Sequence, residues 1–319
     1  MSDRIDADRK LDQAARAAWL YYAKSRRQDD IASELGISRQ VVQRLIALAL
    51  AENLVRFQVM HPLAECIELA DRLKDRFGLH FCEVTLSEAA NEEDMPAVAT
   101  AAAIYLENLL MQKAPFVVAV GNGKAMQETV LRIGQMDRPQ HKCVSLMGNL
   151  TLNGRAGRHD VVTKLAERIG AQSYPLPMPL VTASVRDRET LQAQVGYKTL
   201  QTLVDEANIR VIGSGNIGWQ AGIHLDGFIS DTELAHCMEN GAVGEVLGGA
   251  INMSGELIRN GYVERLTSFH PQPSSRQPVL IVSSGMIRVP AIYAALTGKL
   301  ANALITDEQT ARGILNAGE

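Results

Sequence analysis

Apolar residues in the first 60 positions recur at the three- and four-residue spacing of amphipathic helices. The pattern predicts helices over residues 11–24, 29–35 and 38–50. The first of these has a predicted buried face that consists of Leu11, Ala15, Ala18 and Tyr22. Gly36 would end the second helix in a left-handed turn, and Ser38 is a favourable N-cap for the third. This part of the chain is therefore predicted to be all helical.

A fourth helix is predicted over residues 62–77, after the break at His61-Pro62. Its apolar stripe has the same helical spacing and consists of Leu63, Ile67, Ala70, Leu73 and Phe77. Such a stripe is expected to pack on a domain, and the alternative is a short seam between two protomers.

From residue 80 onward, short apolar runs alternate with helical segments. The predicted strands cover residues 81–84, 116–120, 142–147, 209–212, 279–282 and 303–305. The predicted helices cover residues 95–111, 123–134, 160–169, 189–207, 290–297 and 307–315. Because the strands are apolar throughout rather than at alternate positions, they indicate an α/β fold with a mostly parallel sheet covered on both faces. The predicted domains are therefore a helical one at 1–60 and an α/β one at 61–319.

Composition places the chain among ordinary globular proteins. Its 319 residues are 46% hydrophobic with a formal net charge of −4, which excludes a disordered protein and a small disulfide scaffold. The four cysteines lack metal-ligand spacing, the start carries no signal peptide, and the longest apolar run (97–106) is about half a membrane span. We therefore expect a cytoplasmic protein with no metal, no cofactor and no membrane partner.

The charge is unevenly distributed along the chain, and this distribution bears on whether a nucleic acid is a partner. Residues 1–60 hold ten Lys and Arg against eight Asp and Glu, so the remaining 259 residues carry −6. The acidic total would argue against a nucleic-acid partner, but the N-terminal part is slightly basic.

Residues 28–47 have the spacing of a helix-turn-helix. Ala32, Gly36 and Val42 are the small, turn-forming and apolar residues that allow two helices to pack closely. The exposed face of the second helix is predicted to read DNA through Ser38, Arg39, Gln40, Gln43 and Arg44. Arg26 and Arg27 are candidate phosphate contacts. The alternative is an ordinary helical hairpin with a solvated charged face.

Three segments resemble the SorC/DeoR-type sugar-binding transcriptional regulators. They are residues 20–55, the block GAVGEVLGGAINMSG at 241–255, and the block at 283–315 that begins SSGMIRVPAIYAALTGKL. The resemblance extends over most of the chain. It implies an effector domain with a fold like sugar-phosphate isomerases and deaminases, and a homotetramer (a dimer of dimers) or homodimer. It also implies an effector that is a sugar, a polyol or a sugar phosphate, and a double-stranded DNA operator.

Four loops at the carboxyl ends of predicted strands could form one ligand pocket, since open parallel sheets bind ligands at that edge. Their candidate effector-binding residues are Gly121, Asn122, Gly123, Lys124, Ser214, Gly215, Arg288 and Asp307. Glycines let backbone amides approach an anion at a helix N-terminus, and Lys124 and Arg288 add positive charge. For each loop the alternative is a simple tight turn, and Asp307 is also a plausible helix cap.

The family that these segments resemble differs from this chain at three places. It commonly has Arg-Thr where this chain has Lys124-Ala125, Asp where Asn252 stands, and Lys where Arg288 stands. Asn252 is a further candidate effector contact. Arg155, Arg158 and His159 are also candidates, or else part of a solvated basic loop.

Two competing interpretations remain. Gly213, Gly215 and Gly218 match a dinucleotide-binding fingerprint, but the residues that follow show no helical period, so no dinucleotide is expected. The other interpretation is a sugar-phosphate isomerase or deaminase in which Asp226, His224 and Asp307 supply acid–base groups. No catalytic constellation demands it, so the sequence favours a ligand-responsive regulator without enzymatic activity.

Overall fold

Three helices form the N-terminal part of the chain in a computed structural model that describes residues 2–52, 54–55, 62–87, 95–157, 160–259, 261–273 and 276–318. They are α1 (Ser2–Tyr22), α2 (Gln28–Leu35) and α3 (Arg39–Ala51). Gly36 ends α2 in the left-handed conformation, with φ 67°, and the Ser38 hydroxyl accepts a hydrogen bond from the Val41 N–H at 3.4 Å. The predicted C-terminal glycine and N-cap of the helix-turn-helix are confirmed.

The buried face of α1 differs from the prediction. Ala14, Ala17 and Ala18 are fully buried, whereas Ala15 is exposed and Leu11 is half-buried. An alanine-rich helix offers more than one apolar stripe, and the stripe of smaller side chains allows close approach to α3. The prediction that Leu11 and Ala15 belong to the buried face was wrong.

The chain divides into two compact units, Met1–Met60 and His61–Glu319. The second unit alternates strands and helices. Its strands are β1 (Phe81–Thr85), β2 (Val117–Val120), β3 (Lys142–Ser145), β4 (Gln172–Tyr174), β5 (Ile209–Ile212), β6 (Gly244–Val246), β7 (Gly249–Ile251), β8 (Val279–Val282) and β9 (Ala303–Asp307). Its helices are α4 (Pro62–Phe77), α5 (Pro96–Leu110), α6 (Lys124–Arg132), α7 (Val162–Ile169), α8 (Val185–Gln192), α9 (Val195–Asp205), α10 (Gly222–Leu225), α11 (Asp231–Glu239), α12 (Val289–Thr297) and α13 (Glu308–Asn316).

Seven of these strands form one parallel sheet in the order β1-β9-β8-β5-β2-β3-β4. The central strands β5 and β8 are buried along their whole length, which explains the unbroken apolar sequence of β8 and the three apolar residues that accompany the buried Arg210 in β5. Apolar side chains pack on both faces of the sheet in two separate clusters. The predicted parallel α/β fold is confirmed.

Several elements were absent from the prediction. The polar edge strand β4, the antiparallel pair β6–β7 and the helices α10 and α11 were all missed. The single helix predicted over 189–207 is two helices, because Gln194 adopts an extended backbone (ψ 145°) between α8 and α9. Because α10 and α11 both follow Gly213, this segment contains more helix than its sequence indicated.

The apolar stripe predicted on α4 is only partly buried. Leu69, Leu73 and Phe77 pack into the core, but Leu63 and Ile67 are 49% and 63% exposed. The buried face is displaced from the predicted stripe because Cys66 and Leu69 fill the positions next to Ala70 and Leu73. Within the described ranges, no helix has both the length and the apolar character that a bilayer span requires.

Candidate functional site

The order of the strands places a crevice between β2 and β5. From β2 the chain proceeds through β3 to β4 at one edge, and from β5 it proceeds through β8 to β9 in the opposite direction. Ligands of open α/β sheets bind at the carboxyl ends of the strands where this direction reverses. The loops that follow β2 and β5 are therefore the expected walls of a binding site.

A cavity of about 230 Å³ lies at this point. The loop after β2 contributes Asn122 and Gly123, together with Lys124 at the N-terminus of α6. The loop after β5 contributes Ser214 and Gly215. The first N–H groups of a helix carry partial positive charge, so this wall suits an anion or a hydroxyl oxygen.

Residues after β8 form a third wall. Arg288 lines the cavity, and its Nη1 donates to the Ser284 carbonyl at 2.8 Å. Ser214 Oγ donates to Ser283 Oγ at 2.9 Å, which joins the loops after β5 and β8. Both serines are buried, at 8% and 1% exposure, so their hydroxyls lie in a shielded polar site.

The hairpin β6–β7 supplies a carboxylate that the sequence prediction missed. Glu245 lines the cavity and pairs through its backbone with Gly215, with N···O distances of 3.0 and 2.8 Å. Gly248 N–H donates to Glu245 Oε2 at 2.7 Å. A Cβ on Gly215 would lie 2.2 Å from Glu245 Oε1, so only glycine permits this contact. Burial raises the pKa of Glu245, and the nearby Arg288 partly opposes that shift.

Six of the predicted effector contacts line this cavity: Asn122, Gly123, Lys124, Ser214, Gly215 and Arg288. Gly121, Asn252 and Asp307 lie outside its lining. A Cβ on Gly121 would lie 2.8 Å from Leu247 Cδ2, and Asn252 Nδ2 donates to Glu256 Oε2 at 3.0 Å. Asp307 Oδ1 accepts from Thr310 N at 2.8 Å, so the alternative assignment of Asp307 as the N-cap of α13 is confirmed.

The basic loop after β3 is only partly described. Arg155 donates to the carbonyl of Asp226, a residue that lines the cavity, while Arg158 and His159 lie outside the described residues. Other lining residues that sequence reasoning missed include Met95, Met147, Asn149, Leu180, Ile223 and Phe228. They come from loops and helix ends that carry no recognisable motif. Asn149 lies in the loop after β3, four residues beyond the end of the strand, so its position at the same sheet edge was the available signal.

The three groups of the enzymatic alternative are dispersed. Asp226 lines the cavity, His224 Nε2 pairs with Asp231 Oδ1 at 2.8 Å, and Asp307 caps α13. The dinucleotide interpretation also lacks its helix, because the helix after Gly213 begins only at Gly222. In the parts of the chain that are described, no group of three or more His, Cys, Asp or Glu residues could hold a metal ion.

The second helix of the helix-turn-helix exposes all its predicted reading residues: Ser38, Arg39, Gln40, Gln43 and Arg44. Arg26 and Arg27 are exposed before α2. Val42, Leu45 and Ile46 are buried on the opposite face of the same helix. One reading residue has an acidic neighbour, since Arg39 Nη1 lies 3.6 Å from Asp29 Oδ2.

Comparison with known proteins assigns the family. The family described as "Putative sugar-binding domain" matches residues 61–316. The erythritol catabolism regulatory protein EryD of Brucella abortus (strain 2308) is 31% identical over 97% of this chain and 98% of its own length. The chain belongs to this family of SorC/DeoR-type sugar-binding transcriptional regulators.

Other members of the family cover nearly the whole chain. Transcriptional regulator LsrR of Enterobacter sp. (strain 638) is 29% identical over 94% of this chain and 92% of its own length. The crystal structure of full-length sorbitol operon regulator SorC from Klebsiella pneumoniae superposes with a TM-score of 0.71 at 23% identity, and covers 96% of this chain and 99% of that one. The SorC-type fold therefore extends over both units of the chain.

Proposed function

We propose that the protein is a cytoplasmic, DNA-binding transcriptional regulator that responds to a small hydroxylated metabolite and has no catalytic activity. The observation that carries this proposal is a polar cavity at the switch point of one unit, in a chain whose other unit is a capped helix-turn-helix. The dispersed positions of Asp226, His224 and Asp307 favour binding over turnover.

The ligand class follows from the cavity and from the relatives. Hydroxyls, amides and charged groups surround a space that a sugar or a polyol could fill. The Brucella relative is named for the catabolism of erythritol, a four-carbon polyol. We therefore assign a sugar, a polyol or a sugar phosphate as the effector, with Asn122, Gly123, Lys124, Ser214 and Arg288 among its contacts.

The DNA partner is an operator read by α3. Arginine and glutamine side chains can make bidentate contacts to guanine and adenine edges, and Ser38 at the helix N-terminus can hold a phosphate. A homodimer or a homotetramer would present two such helices to a palindromic operator.

The direct test is operator binding by fluorescence anisotropy, with DNA from the promoter next to the gene and at fixed salt. Arg44→Ala should weaken binding by about 1–3 kcal/mol if Arg44 contacts a base. Arg186→Ala, an exposed arginine of α8, is the matched control and should bind like the wild type. Equal affinities for all three proteins would refute the assignment of α3 as the reading helix.

A further inference from the structure

Glu245 is placed to accept hydrogen bonds from a ligand. Its Oε2 accepts from the Gly248 N–H at 2.7 Å, the only hydrogen bond to this carboxylate from the described residues. An ionised carboxylate has about four acceptor sites, so most of its capacity is left for hydroxyl donors. A phosphate ester offers negatively charged acceptor oxygens at that position instead of donors.

The described residues that line the cavity carry no net charge. Among the described residues that line it, Lys124 and Arg288 are positive, and Asp226 and Glu245 are negative. Arg288 also lies near enough to Glu245 to lower the pKa of that carboxyl. Relative to this described lining, an anionic ligand adds a negative charge to a shielded site, whereas an uncharged ligand keeps the balance.

The remaining polar groups suit a compound that both donates and accepts. Ser214 and Ser283 provide hydroxyls, and Asn122, Asn149 and Asn216 provide amides with one acceptor and two donor hydrogens each. The N-terminus of α6 favours an oxygen with partial negative charge, which a hydroxyl also supplies.

Size limits the ligand further. The cavity of about 230 Å³ is smaller than the roughly 300–1,000 Å³ of sites for drug-sized ligands. A compound of four to six carbons is the size that this space accommodates.

We propose that the cavity selects an uncharged polyhydroxy compound of four to six carbons over its phosphate ester, and that Glu245 is the specificity-determining residue. The carboxylate accepts hydrogen bonds from ligand hydroxyls and repels a phosphate. This inference rests on the proposed function, because it specifies the effector of the same site.

The test is isothermal titration of the full-length protein with erythritol, ribitol and glucitol, and with the monophosphate of each. At least one polyol should bind tenfold or more tightly than its own monophosphate. Glu245→Gln should raise the Kd for that polyol by about 10- to 100-fold, which is the effect of losing hydrogen bonds to a charged group. Glu239→Gln, which removes the same charge from an exposed position on α11, should leave the affinity unchanged.

The possible outcomes separate this inference from the proposed function. If the monophosphates bind more tightly than the polyols and release the promoter DNA, the inference is overturned and the ligand-responsive regulator stands. Binding of neither series overturns this inference, whereas the proposed regulator stands or falls by the separate operator-binding test with Arg44→Ala. An unchanged polyol affinity in Glu245→Gln rejects Glu245 as the specificity residue. The comparison of each polyol with its own monophosphate uses the wild-type protein. It therefore tests the selection against phosphate even if Glu245→Gln fails to fold.

Discussion

Asp29 is expected to weaken DNA binding by competing for Arg39. Asp29 Oδ2 lies 3.6 Å from Arg39 Nη1, and the two side chains are 69% and 66% exposed. At that distance the attraction between unit charges in water is about 1 kcal/mol, and measured surface pairs contribute about 0–1 kcal/mol. To contact DNA, Arg39 must give up this attraction or bring the Asp29 carboxylate close to the phosphates.

Asp29→Asn should therefore strengthen promoter binding by up to about 1 kcal/mol, which is roughly a fivefold lower Kd. Fluorescence anisotropy at several salt concentrations measures it, and the gain should shrink as salt rises because exposed charges are screened. The substitution also removes an acid from the first turn of α2, at a cost of about 0.3–1 kcal/mol of helix stability. A thermal melt of each variant shows whether the fold is retained.

Asp30→Asn is the matched control, since Asp30 is an exposed acid in the same first turn. It reports the effect of removing one negative charge without releasing Arg39. The double variant Asp29→Asn/Arg39→Ala should lose the gain, because the two residues act as a coupled pair. A gain that persists without Arg39, or that Asp30→Asn reproduces in full, would refute the competition argument.

Three further predictions concern stability. Gly244→Ala should destabilise the fold by about 1–3 kcal/mol in urea titrations, because its Cβ would lie 2.2 Å from Ala291 Cβ. By contrast, Gly196→Ala in α9 meets no atom within 4 Å and should stabilise by about 0.5–1 kcal/mol. Burial lowers the pKa of His270 to about 4 from 6.5, so neutral His270 favours the folded state above pH 6.5 and this contribution falls as the pH drops toward 4. The free energy of unfolding of His270→Gln should therefore fall less than that of the wild type over that pH window. An equal pH dependence of the two free energies, measured by urea titration at each pH, would contradict this.

The sequence predicted well those elements whose pattern is set by burial. Strands β5 and β8 are buried on both faces, so the four successive apolar residues of β8 and the three apolar residues around Arg210 in β5 identified them. The polar edge strand β4 has the sequence Gln-Ser-Tyr and is largely exposed, so burial left no pattern in it. Helix α11 did carry a signal that was missed, because Ser230 and Glu233 form a capping box.

The position of the binding site depends on the order of the strands in the sheet, which could not be predicted from the sequence pattern. Asp307 ends β9, and β9 lies three strands from β2, or about 14 Å at the usual spacing. Asp307 therefore lies at the predicted edge of the sheet, the one formed by the carboxyl ends of the strands, but it does not reach the cavity at β2 and β5. Glu245 reaches that cavity from a hairpin outside the main sheet, and a prediction based on strand ends could not find it.

The energy that such a regulator requires is within reach of this cavity. To change DNA affinity 100-fold, a ligand must bind the state that releases DNA about 100-fold more tightly than the state that holds it, a difference of about 2.7 kcal/mol. A hydrogen bond to a charged group is worth about 1.5–3 kcal/mol. One or two such bonds to Glu245 or Arg288, present in only one state, would therefore be sufficient. Reciprocity then requires promoter DNA to weaken effector binding by the same factor, and the proposed titrations repeated with saturating DNA would measure it.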